Sequence, residues 1–127
     1  MLENYEEQFK KANGKVTDGE YNVVITKMEI IENYNKNTTI LNWNMTILDG
    51  LEKGVNIERR NTINGSQKSL KQLNKDLNKL EIYLESLSDL KYKITEMDNL
   101  KMKVKVVKDE KYQNVYIIGL LKKGRKK

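Results

Sequence analysis

Histidine and cysteine are both absent from this chain, so its chemistry rests on lysine, arginine, carboxylates, amides and tyrosine. That removes the commonest general base, the commonest metal ligand, thiolate nucleophiles and disulfides. The Asp and Glu residues are scattered, with no carboxylate pair, phosphate-loop glycine pattern or metal-ligand spacing. The expectation is a protein that is not an enzyme and takes no cofactor or metal. What remains is positive charge. Leu100-Lys101-Met102-Lys103-Val104-Lys105-Val106 alternates with a period of two, as a half-buried strand does, with Lys101, Lys103 and Lys105 on the outward side. Side-by-side lysines repel one another and do nothing for folding, whereas a phosphate-bearing partner would stabilise them. A solvated outer face is the competing reading. From Lys101 onward ten basic residues stand against Asp109 and Glu110, a net charge of +8; the rest carries 14 basic and 16 acidic side chains.

The elements that must position these residues follow from patterning. At 127 residues, 38% hydrophobic and 33% charged, the chain suffices for one domain with one core. Met1 to Asn13 reads as a short amphipathic helix or a loose arm, with Leu2, Tyr5 and Phe9 as apolar spots and no signal-peptide character. No run reaches membrane-spanning length. After the turn signal Asp18-Gly19, Tyr21 to Ile31 is a strand whose apolar parity slips between Ile25 and Met28, which predicts a bulge. Thr38 to Leu48 is the second strand. Thr39, Leu41, Trp43, Met45 and Ile47 take its core face, and Asn42, Asn44 and Thr46 the other. Val55 to Ile63 is the third, and Asn64-Gly65-Ser66 offers a turn and a helix cap. Leu70, Leu73, Leu77, Leu80, Tyr83 and Leu84 predict a helix of about five to six turns from Ser66 to Ser86, with Lys68, Lys71, Lys75 and Lys79 on its wet side. Ser88 to Asn99 reads as a connector with at most a short helical turn around Thr95 to Asn99. Leu100 to Lys108 and Tyr112 to Lys122 make a final hairpin around Asp109-Glu110-Lys111, with Tyr116 in the core.

Three strands, a helix and two strands is the order of the five-stranded OB-fold barrel: all-β with one long α-helix between strands 3 and 4, plugging one end. The layout is an arm over 1–15, the barrel over 16–122 and a basic tail over 123–127. In such barrels nucleic acid crosses the outer face of strands two and three, gripped by the loops that join strands one to two and four to five. Basic side chains track the backbone and aromatic faces stack on bases. The candidate nucleic-acid-binding residues are therefore Tyr34 and Lys36 in the first loop and Lys108, Lys111 and Tyr112 in the second. Asn42 and Asn44 on strand two join them, with Arg59 and Arg60 on strand three. Arg60 shares the outward parity of Asn56 and Glu58; Arg59 has core parity but stands near the strand end, within reach of the rim. Each has a plainer alternative. A tyrosine near a hairpin tip covers its neighbours, outward amides are ordinary surface, and the arginines have Glu58 or Glu52 as salt-bridge partners.

Asp18-Gly19-Glu20-Tyr21, then Ile47-Leu48-Asp49-Gly50 with Lys53-Gly54, then Glu58-Arg59-Arg60-Asn61, a Leu-rich helix and a closing lysine/valine strand together resemble the phage DUF669 family. The likeness covers about residues 16 to 122. It implies a phage-encoded single-stranded-DNA-binding protein of the barrel type, encoded among replication and recombination genes. The partners so implied are single-stranded DNA and phage replication or recombination proteins, and the compartment is the host-cell cytoplasm, away from membranes. Pairing into a homo-oligomer is a further expectation for a small barrel. Two departures stand out: Arg60 occupies a position where the family tends to carry an aromatic, and Lys122 to Lys127 is the reverse of the acidic tail by which bacterial single-strand-binding proteins recruit partners. The alternative is a barrel serving as a protein-interaction adaptor in a phage recombination or anti-defence complex, its basic hairpin meeting an acidic protein surface. Asn, Thr and Arg on the outward side of strands two and three favour nucleic acid.

Overall fold

The computed structural model describes residues 2–5 and 15–121. Phe9 and the expected basic tail lie outside the described residues. One 3-10 turn occupies Leu2–Tyr5. The ordered elements are β1 (Gly19–Asn33), β2 (Thr38–Ile47), β3 (Asn56–Ile63), α1 (Gln67–Lys79), α2 (Leu90–Met97), β4 (Lys101–Lys108) and β5 (Gln113–Leu120). A 3-10 turn at Leu87–Asp89 leads into α2. The strands form one antiparallel sheet in the order β3-β2-β1-β4-β5.

β1 is long because it serves two neighbours. Gly19 to Val24 pairs with β4, while Val23 to Asn33 pairs with β2. The parity slip predicted in its middle is a register shift between Ile25 and Lys27. One extra residue there resets the alternation, which is why Val23, Ile25 and Met28 are all buried. The alternation of β2 and β4 also holds. Leu41, Trp43, Met45 and Ile47 of β2 and Met102, Val104 and Val106 of β4 enter the core, joined by Leu73 and Leu77 of α1.

The structure corrects three expectations. The helix expected to reach Ser86 stops at Lys79. Ser66 caps its start, accepting from the Ser69 amide at 3.1 Å, and Glu81 turns left-handed at φ 62° to end it. Leu84 and Leu87 belong to the returning chain. Leu84 fits the helical stripe because both sides of the turn pack toward one core, a coincidence that periodicity does not distinguish, whereas Leu87 is exposed. The stretch expected as a connector contains α2, whose Leu90 and Met97 are buried and which packs on β1. Tyr116, expected in the core, is 49% exposed, because Val115 and Ile117 take the inward positions of β5.

The barrel was expected to close, and the described sheet is open. Its edge strands β3 and β5 do not pair through their backbones. Cationic side chains bridge the seam instead. Arg59 of β3 donates through Nη1 to the Val115 carbonyl, and Lys79 of α1 donates through Nζ to the Ile117 carbonyl at 2.9 Å. Carbonyls that a neighbouring strand would satisfy are thus satisfied by side chains, which also blunts an exposed edge. Among the described residues no helix is long and apolar enough to cross a membrane.

Candidate nucleic-acid interface

Strand alternation sends Arg59 and Asn61 to one face of β3 and Glu58 and Arg60 to the other. On the inner face the two meet Asp76 of α1. Arg59 donates to Asp76 Oδ2 from Nε at 3.0 Å and from Nη2 at 2.6 Å, and Asn61 Nδ2 donates to the same oxygen at 2.9 Å. Gln72 Nε2 supplies Oδ1 at 3.0 Å. Trp43 Nε1 donates to Asn61 Oδ1 at 2.7 Å, so the one indole in the chain is satisfied within the core. The Arg59 side chain is only 12% exposed, and its Nε, Nη1 and Nη2 all donate within the protein. Expected at the rim, Arg59 is largely withdrawn from solvent and serves as a structural cation: a guanidinium taken out of water requires a carboxylate, and Asp76 is it. Asp76 was legible in principle, since it lies on the buried stripe between Leu73 and Leu77 and a buried carboxylate demands a cation.

The outer face is organised differently. Cross-strand pairing lines up Lys27, Asn44 and Glu58 in one row and Glu29, Asn42 and Arg60 in the next, with Thr46 beside Asn56. The charges alternate diagonally around a middle column of amides and a hydroxyl. Glu29 Oε1 accepts from Asn44 Nδ2 at 3.0 Å and Asn42 Nδ2 at 3.5 Å, and Lys27 Nζ lies 3.5 Å from Oε2. The hydrogen bond from Asn44, then that from Asn42 and the Lys27 charge, hold the Glu29 carboxyl below its ordinary range. Arg60 Nε donates to Asn42 Oδ1 at 3.2 Å, and Thr46 Oγ1 to Asn56 Oδ1 at 2.6 Å. Asn42, expected as outward surface, is therefore buried beneath Arg60 and Glu29, although its side chain has outward parity. Asn44 stays partly open.

Across this face runs a groove of about 920 Å³. Asn44, Thr46, Asn56 and Glu58 form part of its floor, and Lys111, Tyr112 and Gln113 of the β4–β5 hairpin form its lip. A second hollow of about 450 Å³ shares Glu58, Tyr112 and Gln113 and continues between the two edge strands past Arg60, Asn114 and Tyr116, with Arg59 also in its lining. The hairpin tip is built by Asp109. Its Oδ1 accepts the amides of Tyr112 at 2.7 Å and Lys111 at 2.9 Å, and Asn114 Nδ2 reaches Oδ2 at 3.2 Å. These donors, the Tyr112 amide foremost, lower the Asp109 carboxyl from its ordinary value. The ring of Tyr112 is left exposed beside Lys111.

The structure thus brings Asn42, Asn44, Arg60, Lys111 and Tyr112 onto one side of the sheet. Lys108 is exposed at the foot of the same hairpin, which its backbone amide ties to Asp18 Oδ1 at 2.9 Å. Tyr34 and Lys36 line neither hollow. Tyr34 is 85% exposed at the β1–β2 tip and donates its phenol to Glu32 Oε2 at 2.6 Å, an acceptor that raises its pKa. The sequence reading missed Lys15, Lys27 and Asn56 in the groove and Tyr116 in the adjoining hollow. For Tyr116 the signal was ambiguous: alternation separates it from Val115 and Ile117, but Ile118 and Leu120 share its parity, so both faces of the strand read as apolar. Lys15 had none, because it precedes β1 and reaches the groove only through the fold. Among the described residues no group of three or more acidic side chains is placed to hold a metal.

The sequence model of the family described as "protein of unknown function (DUF669)" matches residues 3–123, and the chain belongs to that family. No curated protein matches it. Within the Glu58-Arg59-Arg60-Asn61 segment, Arg59 and Asn61 are the two residues that bind Asp76, which accounts physically for an arginine and an asparagine two positions apart.

Proposed function

We propose that this DUF669 chain is a sequence-tolerant, non-catalytic single-stranded-DNA-binding protein acting in phage replication or recombination. Its sheet is read as an OB-type barrel whose β3–β5 seam is bridged by side chains. The observation that carries the proposal is the open polar groove over β1, β2 and β3, with Lys111 and Tyr112 at its lip and Tyr116 in the adjoining hollow. A duplex hides its base faces, whereas a single strand offers them to exposed tyrosines. Lys27 is matched on the floor by Glu29, and Glu58 adds a second carboxylate there, so the floor suits bases better than phosphates. Backbone neutralisation then falls to the margins: Arg60 at the seam, Lys111 and Lys108 on the hairpin, and Lys36 at the far loop, where the Tyr34 ring is an outlying stacking contact. Arg59 is left out of the contact set.

The test is fluorescence anisotropy with single- and double-stranded oligonucleotides of equal length at several salt concentrations. Single strands bind more tightly, and log affinity falls with log salt at about −0.7 per phosphate neutralised, or about −2 to −3.5 for three to five contacts. Duplex affinity equal to or above that for single strands overturns the proposal. The adaptor reading keeps one observation of its own. Leu70, Leu84 and Leu87 line a hollow of about 220 Å³, with Leu87 exposed and Tyr83 exposed nearby in the chain. Tight binding of an acidic protein without nucleic-acid affinity would favour it.

A further inference from the structure

We infer that the groove is not indifferent to base identity: Glu29 makes it prefer cytosine to thymine. The inference rests on the nucleic-acid reading above and adds a specificity determinant to it. Glu29 projects from β1 onto the groove floor, where the amides of Asn44 and Asn42 fix its carboxylate. Those two donors occupy Oε1. Among the described residues Oε2 has only the ammonium of Lys27, at 3.5 Å and largely solvated, so it retains accepting capacity toward the groove. A fixed anion there accepts hydrogen bonds and offers none. Cytosine and thymine present nearly the same stacking surface to tyrosine, but at C4 cytosine carries an amino donor and thymine a carbonyl acceptor. The amino group meets Oε2 as a charge-assisted hydrogen bond; the carbonyl meets it as a repulsion. Glu58, a second acceptor lining the same groove, acts in the same sense. Lys111 at the margin contacts the backbone of either oligomer alike and so does not discriminate.

The experiment compares short oligo-dC, oligo-dT and oligo-dU at neutral pH by anisotropy, for the parent protein and for Glu29→Gln. The parent favours dC over dT by about tenfold, with dU behaving like dT because the methyl group is not what is read. Glu29→Gln lowers dC affinity and raises dT affinity, since the amide can turn its NH2 toward the thymine carbonyl, and the ratio falls to within about twofold. Equal parent affinity for dC and dT, or a preference for dT, overturns the inference while leaving single-strand binding intact. A dC preference that survives in Glu29→Gln also overturns it, because the reader is then another group. Should the substituted protein fail to fold, the parent ratio alone decides. If the parent binds none of the three, the single-strand reading falls and this inference with it.

Discussion

Arg59 and Arg60 are adjacent on β3 and lie in two unlike polar networks. The inner one joins Arg59, Asn61, Asp76, Gln72 and Trp43 across β2, β3 and α1 and is closed to solvent at its centre. The outer one joins Arg60, Asn42, Asn44 and Glu29 across the same sheet and opens onto the groove. Both order side chains by hydrogen bonds to a carboxylate. The difference lies in the surroundings. Away from water an unmet charge is expensive, so the inner network serves folding; beside water, spare lone pairs and donors remain available to a ligand. One residue of offset on a strand is enough to separate the two roles.

The comparison fails most visibly if the inner network can be cut at little cost. Asp76→Ala leaves Arg59 buried without its anion and should destabilise the fold by about 3–5 kcal/mol in urea unfolding. The double variant Arg59→Met with Asp76→Leu should lose less than Asp76→Ala alone, because no uncompensated charge remains. If Asp76→Ala unfolds like the parent, Arg59 has an escape to solvent and the inner assignment is wrong.

Next in size is the outer region, where binding and stability should separate. Tyr112→Ala should cost about 1–3 kcal/mol of single-strand affinity at every salt concentration. Its unfolding free energy should stay within about 0.5 kcal/mol of the parent. Undiminished affinity would remove the hairpin as a stacking platform. Arg60→Ala is expected to be gentler. The salt slope should flatten by about 0.7 or less, with stability again nearly unchanged, since its contact with Glu58 is long, at 3.9 Å, and exposed. A large stability loss on removing Arg60 would mean that the two arginines are not different in kind.

The smallest effect concerns acid. The Asp109 carboxyl lies below its ordinary value of 3.8, so the support it gives the hairpin tip is complete above that pH and lost as pH falls through the lower folded-state value. The amide resonances of Lys111 and Tyr112 should report that loss together in a nuclear magnetic resonance titration. Asp109→Asn should keep the turn and abolish the acid step. A Tyr112 amide that ignores acid in the parent would mean that the tip is ordered by something else.

Much of this contrast could be read along the chain, and the unread part has a common cause. Arg60 outward and Trp43 inward follow from two-residue alternation, a local property that needs no partner to express it. The bulge in β1 was visible for the same reason, as a break in that alternation. Arg59 also carried inward parity, but its position near a strand end suggested an escape that Asp76 forecloses. The helix length was misread because Leu80 and the half-buried Leu84 pack against the core on either side of a left-handed turn at Glu81, and sequence periodicity registers burial without registering chain reversal.

The sequence by itself determined the five strands, the core faces of β2 and β4, the bulge and the absence of histidine and cysteine chemistry, because each depends on residue type and spacing within a few positions. Only the tertiary structure decided that Arg59 and Asp76 are partners, that Tyr116 and Lys15 border the same side of the sheet as Tyr112, and that Tyr34 stands apart from both hollows. It also decided that side chains, rather than backbone pairs, bridge β3 and β5. Those facts depend on which distant segments are brought together once the core is buried. The physical reason is that burial is specified residue by residue, while the partner of a buried charge and the walls of a groove are chosen by the closure of the chain upon itself.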